Sequence, residues 1–237
     1  MNRTRTAVRA CVALMWVGAV ASAHASTNLL TNGSFELGTF TNQGQDTETF
    51  TAGSTVMTGW TTTGNFVSWI GATNPFSLSA QDGSYFLDLT GYHAGAPFGG
   101  VTQTIATTPG KQYDLSFYLG SYTAVWGGPP VSITAAAGGT SELFTNGSAT
   151  SSSTWTLENL PFTAAGTSTT ISLLGEAGFN YIGLDNVAVQ CVNTAGCATT
   201  GGGGTAVPEP AVFGLMSLGL AAVGLGRRRQ LRAAANY

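Results

Sequence analysis

The chain has 237 residues, with eight Lys and Arg against eleven Asp and Glu, and a formal net charge of −3. Between Ser26 and Thr200 the only basic residue is Lys111, and ten acidic residues give that stretch a net charge of +1 − 10 = −9. A domain with one basic side chain cannot neutralise several phosphate groups. This excludes nucleic-acid binding, and it excludes phosphoryl transfer that relies on several Lys or Arg side chains. Charged residues make up 8% of the chain, against about 25% in ordinary soluble domains. The composition therefore favours an exported all-β protein.

The first 25 residues have the three parts of a secretory signal peptide. Three arginines form its basic start, and the apolar run 10–20 is shorter than the about 20 residues that span a bilayer. Residues 23–25, Ala-His-Ala, match the A-x-A cleavage pattern. The sequence predicts cleavage before Ser26 and the loss of Cys11 with the signal peptide. A retained N-terminal anchor is the alternative.

From Ser26 to about Gln190, apolar and polar residues alternate as in β-strands, without helical periodicity. The alternating segments are 101–105, 113–119, 131–135, 155–164, 171–173 and 182–189. Turn residues at Asn32-Gly33, Asp82-Gly83, Pro109-Gly110 and Asn146-Gly147 separate the runs. Eight or more short strands in about 165 residues predict a single all-β jelly-roll sandwich over residues 26–192.

Two local features refine this prediction. The apolar phase of the last predicted strand changes between Leu184 and Val187, and this slip predicts a β-bulge that re-aims the Asp185 side chain. Several large aromatic side chains fit core positions in the alternation. These are Trp60, Tyr113, Phe117 and Trp155.

Motifs along the body resemble those of galactose-binding-like jelly-rolls, a fold found in carbohydrate-binding modules and in DUF642-type domains. The opening segment 28–36, Asn-Leu-Leu-Thr-Asn-Gly-Ser-Phe-Glu, looks like their entry strand. Further segments that resemble motifs of these domains follow in order at Gly59-Trp60, 82–89, 101–105, 110–117 and 184–189. The stretch between Tyr122 and Thr154 contains no such segment. The resemblance implies a carbohydrate-binding domain.

The same resemblance implies one structural Ca²⁺ where the first strand meets the last. The matching positions in this sequence are Glu36 and Asp185. Calcium takes six to eight oxygen ligands, which two carboxylates and several backbone carbonyls would supply. In the alternative, Glu36 and Asp185 accept backbone N–H bonds at a turn and at the bulge.

Catalysis has little support in the sequence. His93 is the only histidine of the body, and no G-x-S-x-G segment accompanies it. Glycoside hydrolysis needs two facing carboxylates, but ten acidic residues make a pair such as Glu142 and Glu158 inevitable. The sequence predicts that the protein is not an enzyme, with a polysaccharide-active hydrolase as the weakest alternative.

Carbohydrate binding has a clearer physical basis, because sugars stack their apolar faces on aromatic rings. Candidate rings lie in two stretches rich in Gly and Pro, with Tyr92 and Phe98 in the first, and Tyr122 and Trp126 in the second. The sequence predicts weak glycan binding through these loop rings, with Trp126 as the best single candidate. In the alternative the rings cover a sheet edge, and the protein is a structural matrix or envelope component with no specific ligand.

Two cysteines remain after export, Cys191 and Cys197. An even count in an exported chain favours a disulfide. The alternative is a metal pair, but no second cysteine pair and no nearby histidine completes a zinc site.

The C-terminus combines three segments after the Gly-rich linker 193–206. They are Pro208, Glu209 and Pro210, the apolar run 211–226, and Arg227, Arg228 and Arg229. A helix over the apolar run would be about 24 Å long, slightly short of a full span. By the positive-inside rule, the arginines hold residues 233–237 in the cytoplasm. The alternative interpretation of these segments is a simple C-terminal membrane anchor.

This order of segments, over residues 207–232, resembles the bacterial PEP-CTERM sorting signal. The resemblance implies a transmembrane helix at 211–226 and processing by a membrane-embedded, exosortase-like enzyme. It further implies export through the inner membrane of a Gram-negative bacterium, transient membrane anchoring, and a final place at the cell surface or outside the cell. Exopolysaccharide is then the expected carbohydrate partner.

Overall fold

The computed structural model describes residues 27–75, 78–91, 96–121, 130–147, 154–178, 181–192 and 196–197. All of them belong to the first of the two units into which the chain divides, Met1–Ala198. The second unit, Thr199–Tyr237, lies outside the described residues together with the predicted signal peptide, sorting motif and apolar helix. Within the described part of the chain, no helix has the length and hydropathy to cross a membrane.

The described residues form eleven strands. They are β1 (Thr47–Phe50), β2 (Thr61–Gly64), β3 (Val67–Ile70), β4 (Phe86–Asp88), β5 (Gly99–Ala106), β6 (Gln112–Ser121), β7 (Val131–Ala137), β8 (Thr140–Asn146), β9 (Thr154–Thr163), β10 (Ser168–Ala177) and β11 (Gly183–Cys191). A six-stranded sheet has the order β1-β3-β4-β11-β6-β9, and a five-stranded sheet has the order β2-β5-β10-β7-β8. Neighbouring strands are antiparallel throughout. The predicted all-β sandwich is confirmed.

One hydrophobic core lies between the two sheets. In β6 the alternation directs Tyr113, Leu115, Phe117 and Leu119 inward, where all four are buried. The inner faces of β5, β7 and β10 supply the opposing layer, with Val101, Ile133, Ile171 and Leu173. Burial of each large apolar side chain contributes about 1.5–3 kcal/mol, so the alternation read from the sequence provides the main stabilisation of the sandwich.

The opening segment is not a strand, which corrects the entry strand implied by the resemblance. Leu29 donates one backbone hydrogen bond to the carbonyl of Val189 (2.8 Å), and the chain then turns at Asn32, whose φ is 59°. The Asn28 amide replaces a strand ladder, because its Oδ1 accepts from the backbone N–H groups of Leu30 and Val189. The first residues therefore dock beside β11 through a side chain.

The predicted bulge in the last strand is confirmed. Asp185 pairs with Tyr118, but the next pair along is Ala188 with Ser116, so one extra residue is inserted in β11. Asn186 takes the left-handed conformation at this point, with φ of 46°. The bulge turns the Asp185 side chain away from the core and toward the loop that precedes β4.

Strand β9 presents its two apolar runs on opposite faces. Its pairing with β6 is continuous, from Gln112 with Thr163 to Ser121 with Thr154. Because side chains alternate along a strand, Leu160 and Phe162 face the core while Trp155 faces outward. Trp60, Tyr113 and Phe117 are buried as predicted, whereas Trp155 lies outside the main core and is partly buried against a smaller apolar cluster on the outer face.

Candidate functional site

Of the four aromatic residues predicted to bind a ligand, one, Phe98, lies in the described part of the chain. Tyr92, Tyr122 and Trp126 lie outside the described residues. Phe98 is 8% exposed and belongs to the main core cluster. Its ring packs in the interior, so the structure assigns Phe98 a structural role in place of the predicted sugar contact.

A different surface gathers the groups that carbohydrate binding requires. We call it the β6–β9 strip, and it consists of the outward-facing side chains of these two paired strands. Its members are Gln112, Asp114, Ser116 and Tyr118 on β6, and Trp155, Leu157, Asn159, Pro161 and Thr163 on β9. From Gln112–Thr163 to Gly120–Trp155 the register advances eight residues, or about 27 Å at 3.4 Å per residue. All these side chains are exposed or half-buried.

The indole of Trp155 packs against the sheet at one end of the strip. It covers two glycines, since a β-carbon at Gly120 would come within 2.6 Å of Trp155 Cζ3, and one at Gly183 within 3.0 Å of Cη2. The ring is half-buried and meets Phe86 edge-on, with centroids 5.8 Å apart. Because its inner face rests on the backbone, the accessible part of the indole faces solvent.

The neighbouring pair extends this apolar surface. Tyr118 and Leu157 are directly opposite each other in the register, two residues along from Gly120 and Trp155. Leu157 is 57% exposed, so its apolar side chain adds to the surface beside the indole. Residues directly opposite in a sheet have β-carbons about 4.5–5.5 Å apart, so the three side chains form one apolar area.

The other end of the strip is polar and concave. Ser116 and Asn159 form the next pair, and Asp114 lies between Pro161 on β9 and Gln190 on β11. A cavity of about 420 Å³ opens here. Its lining combines strip residues with the inward-facing Tyr113 and Phe162, the β7–β8 turn and the end of β11: Gln112, Tyr113, Asp114, Gly138, Thr140, Pro161, Phe162, Thr163 and Val192. The strip therefore joins an apolar platform to hydroxyl, amide and carboxylate groups.

The two predicted calcium ligands both bind one loop by hydrogen bonds. Glu36 Oε1 accepts from the backbone N–H groups of Ser84 and Tyr85, at 2.8 and 2.7 Å. Asp185 Oδ2 accepts from those of Gln81 and Asp82, at 2.8 and 3.0 Å. Each carboxylate thus holds one part of the segment that precedes β4.

The Asp185 carboxylate is fully buried. Its Oδ1 accepts a further hydrogen bond, of 2.7 Å, from the backbone N–H of Asn186. Burial raises the pKa of Asp185 to about 7, although the N–H groups of Asp82, Asn186 and Gln81 lower it, and the charge of Asp82 adds to the rise. Desolvation of the ionised form is therefore the dominant effect at this residue.

These contacts bear on the calcium prediction. A cation requires oxygens aimed at it, whereas backbone N–H donors face the oxygens of Glu36 and Asp185 that contact the loop. Across the described part of the chain, no three acidic, Cys or His side chains converge on a possible metal position. The hydrogen bonds match the alternative in which both carboxylates accept backbone N–H groups, and melting with and without calcium decides whether an ion binds as well.

Two further sequence predictions concern residues near the sandwich edges. Cys191 and Cys197 are joined in a disulfide, with their Cα atoms 6.5 Å apart. The sequence also contains Glu142 and Glu158, an example of an acidic pair, and they lie on the neighbouring edge strands β8 and β9. Burial raises the pKa of Glu158, and the negative charge of Glu142 raises it further. Neither glutamate lines the cavity described above. The absence of enzymatic activity stays a prediction.

Sequence reasoning missed the strip because it assigned Trp155 to the core. The available signal was the change of phase within β9, where Trp155 and Leu157 are offset by an odd number of residues from Leu160 and Phe162. Such an offset places the two runs on opposite faces unless a bulge intervenes. Only the uninterrupted pairing with β6 shows that none does.

Comparison with known proteins gives matches over both parts of the chain. A model of the PEP-CTERM protein-sorting motif matches residues 206–230, which confirms the predicted signal and marks the chain for export and membrane-anchored sorting. Halomucin of Haloquadratum walsbyi is 30% identical over 167 residues, which are 68% of this chain and 2% of halomucin. The chain therefore spans only a small part of that relative.

Solved structures similar to this chain include several carbohydrate-binding modules. TmCBM61, solved in complex with beta-1,4-galactotriose, has a TM-score of 0.45 and 18% identity, over 70% of this chain and 99% of that one. The CBM22-1 xylan-binding domain from Paenibacillus barcinonensis has a TM-score of 0.39 and 18% identity, over 73% and 99% of the two chains. A family model described as "Protein of unknown function (DUF642)" matches residues 28–188, well over half of the chain. The chain belongs to the DUF642 family.

Proposed function

We propose that the protein is an exported surface protein whose β-sandwich binds a carbohydrate chain along the β6–β9 strip. The observation that carries this proposal is the position of Trp155, whose indole lies over Gly120 and Gly183 and leaves its accessible part toward solvent. A partly exposed ring supported by backbone is a suitable stacking surface for the apolar face of a sugar.

The strip supplies the remaining requirements of glycan binding. Tyr118 and Leu157 continue the apolar platform, and Asn159, Ser116 and Asp114 offer donors and acceptors for hydroxyl groups. Its length of about 27 Å accommodates several consecutive sugar rings. We expect an extended chain lying along the strands, with its most apolar ring on Trp155.

Charge restricts the class of glycan. The body carries ten acidic residues and the single base Lys111 between Ser26 and Thr200, and the strip itself contains Asp114 and no base. A polyanionic polysaccharide would be repelled by this charge. The proposed ligand is therefore a neutral polysaccharide, such as an uncharged exopolysaccharide of the producing cell.

The C-terminal motif supports a surface location. We propose that an exosortase-like enzyme of a Gram-negative bacterium recognises Pro208, Glu209 and Pro210 together with Arg227–Arg229, and anchors or releases the protein outside the inner membrane. A carbohydrate-binding domain exported to this location would contact the exopolysaccharide of the cell that produces it. No catalytic step is part of this proposal.

The experiment compares two leucines with matched exposure. Leu157 on the strip and Leu143 on β8 are 57% and 58% exposed, but they belong to different sheets. Binding is measured on an array of neutral and acidic polysaccharides with the wild type, Trp155→Ala, Leu157→Ala and Leu143→Ala. We expect Trp155→Ala to weaken binding at least about fivefold, since a stacked ring contributes about 1 kcal/mol, and Leu143→Ala to have no effect.

Equal effects of Leu157→Ala and Leu143→Ala would place the binding site elsewhere. Full binding by Trp155→Ala would contradict the proposal directly. If the wild type binds no polysaccharide on the array, the structural matrix role without a specific ligand becomes the better explanation of an exported sandwich.

A further inference from the structure

The segment between β3 and β4 covers part of the outer face of the six-stranded sheet. We call its residues 78–85 the cover loop. Leu78 is buried in a small second cluster on this face, and Ala80 and Trp155 pack against the cluster. The buried members of that cluster are Ile70, Leu78, Phe86 and Tyr181. The cover loop therefore forms a wall beside the apolar end of the β6–β9 strip.

Asp185 and Asn186 hold the middle of the cover loop. Asp185 accepts the backbone N–H groups of Gln81 and Asp82, and Asn186 Nδ2 donates to Gln81 Oε1 at 2.8 Å. The bulge in β11 makes this possible, because it aims both side chains at the loop. The contact joins residues more than 100 positions apart in the sequence.

Glu36 holds the C-terminal end of the same loop through Ser84 and Tyr85. Ser34 adds a hydrogen bond of 2.6 Å from its Oγ to Asp82 Oδ2. Gly83 fits between these contacts because its φ is 68°, and a β-carbon there would collide with the Glu36 carboxylate. Two carboxylates that are distant in sequence, Glu36 and Asp185, thus hold the cover loop by hydrogen bonds.

The cover loop in turn fixes the indole of Trp155. The Nε1–H group donates to the carbonyl oxygen of Ser79 at 3.0 Å. Beneath the ring lie Gly120 and Gly183, which present a smooth surface and no side chain to set the orientation of the indole. Phe86 meets the ring edge-on, and the Ser79 carbonyl is the polar contact that fixes the Nε1–H edge of the ring.

We propose that Asp185 and Glu36 are positioning residues for the binding platform, because they clamp the cover loop so that Ser79 holds the Trp155 indole in place. The consequence for binding rests on the proposed function, but the clamp itself can be observed without a ligand. A loosened cover loop leaves the ring free to reorient, and binding must then order it again.

The clamp is tested by ¹⁹F NMR of the full chain, purified in detergent and labelled with 5-fluorotryptophan, in the presence of a calcium chelator. Trp155→Phe assigns the Trp155 resonance. We expect Asp185→Asn and Glu36→Gln to shift or broaden that resonance. The matched control is Glu48→Gln, a buried carboxylate on β1 that accepts the N–H of Thr41 at the opposite edge of the same sheet.

Binding of the same variants to neutral polysaccharides is measured alongside. We expect Asp185→Asn and Glu36→Gln to bind about three- to tenfold more weakly, the effect of immobilising one side chain on binding, and Glu48→Gln to bind as the wild type does. Should Asp185→Asn fail to fold, Glu36→Gln tests the same loop from its more exposed end.

An unchanged Trp155 resonance in both clamp variants overturns the proposal. A changed resonance with unchanged affinity overturns the positioning role in binding. If Trp155→Ala binds as the wild type does, the proposed function fails, whereas the NMR result still decides whether the clamp holds the indole.

Discussion

The indole of Trp155 and the backbone of Gly120 are in direct contact: a β-carbon at position 120 would lie 2.6 Å from Cζ3 of the ring. The two residues are directly opposite each other in the pairing of β6 with β9. Glycine is therefore required at position 120, because any side chain there would occupy the space that the indole fills. The platform depends on a cross-strand pair in which one partner contributes only its backbone.

This contact predicts the effect of Gly120→Ala. The added methyl group must lift the indole, so we expect weaker binding to neutral polysaccharide together with a loss of about 1–3 kcal/mol of stability from overpacking. Gly166→Ala is the control, because a β-carbon there meets no atom closer than 3.7 Å. Affinity and melting temperature are measured for both variants, and wild-type affinity in Gly120→Ala would argue against Trp155 as the platform.

A second prediction concerns pH. The pKa of Asp185 rises from 3.8 to about 7 on folding, so the folded state binds its proton more tightly than the unfolded state does. The resulting stabilisation is fully present below pH 3.8 and is lost as the pH rises through about 7. Since one pKa unit corresponds to about 1.4 kcal/mol, we expect a difference of a few kcal/mol between the two ends of this window.

The measurement is denaturant unfolding of the wild type and Asp185→Asn between pH 4 and 8, with a chelator present. Other carboxylates titrate in both proteins, so the quantity of interest is how the difference in unfolding free energy changes with pH. The wild type should lose stability relative to Asp185→Asn as the pH rises. A pH-independent difference would show that Asp185 does not titrate in this window.

A third prediction addresses calcium. Because Oε1 of Glu36 and both oxygens of Asp185 accept backbone N–H groups, we expect calcium and a chelator to give the same melting temperature. A bound ion would instead add about 2.7 kcal/mol at a hundredfold excess over its dissociation constant. A calcium-dependent rise that disappears in Asp185→Ala would establish the ion that the resemblance implies.

A fourth prediction concerns sorting. Residues 206–230 match the PEP-CTERM motif, and the arginines at its end are expected to stop transfer across the membrane. Deletion of Arg227–Arg229 should therefore change the distribution of the protein between membrane, surface and medium in cell fractionation. Replacement of the three residues by lysine, which keeps the charge, is the control. An unchanged distribution after the deletion would contradict the sorting role.

A fifth prediction concerns the mature N-terminus. Cleavage after Ala25 removes the basic and apolar start of the chain. The intact mass of protein recovered from cells should correspond to a chain that begins at Ser26. A mass that includes Met1 would support the retained anchor.

Local features of the fold follow from the amino-acid sequence alone. Alternation in β6 identified Tyr113, Leu115 and Phe117 as inward-facing, because the two-residue period of a strand is a local property. The phase slip at Asp185 was also visible in the sequence, and it corresponds to the observed bulge. The sorting motif needed no fold at all, since it is read from contiguous residues at the C-terminus.

The residues of the strip and of the clamp are brought together by long-range contacts of the folded chain. The outward position of Trp155 follows from the uninterrupted register of β9 on β6, and Ser79 approaches its indole from 76 residues away. Glu36 and Asp185 could be singled out from the sequence, but whether their oxygens face a cation or backbone N–H groups depends on the path of the cover loop. Such contacts depend on chain segments that are distant in sequence, and alternation within a single strand carries no information about them.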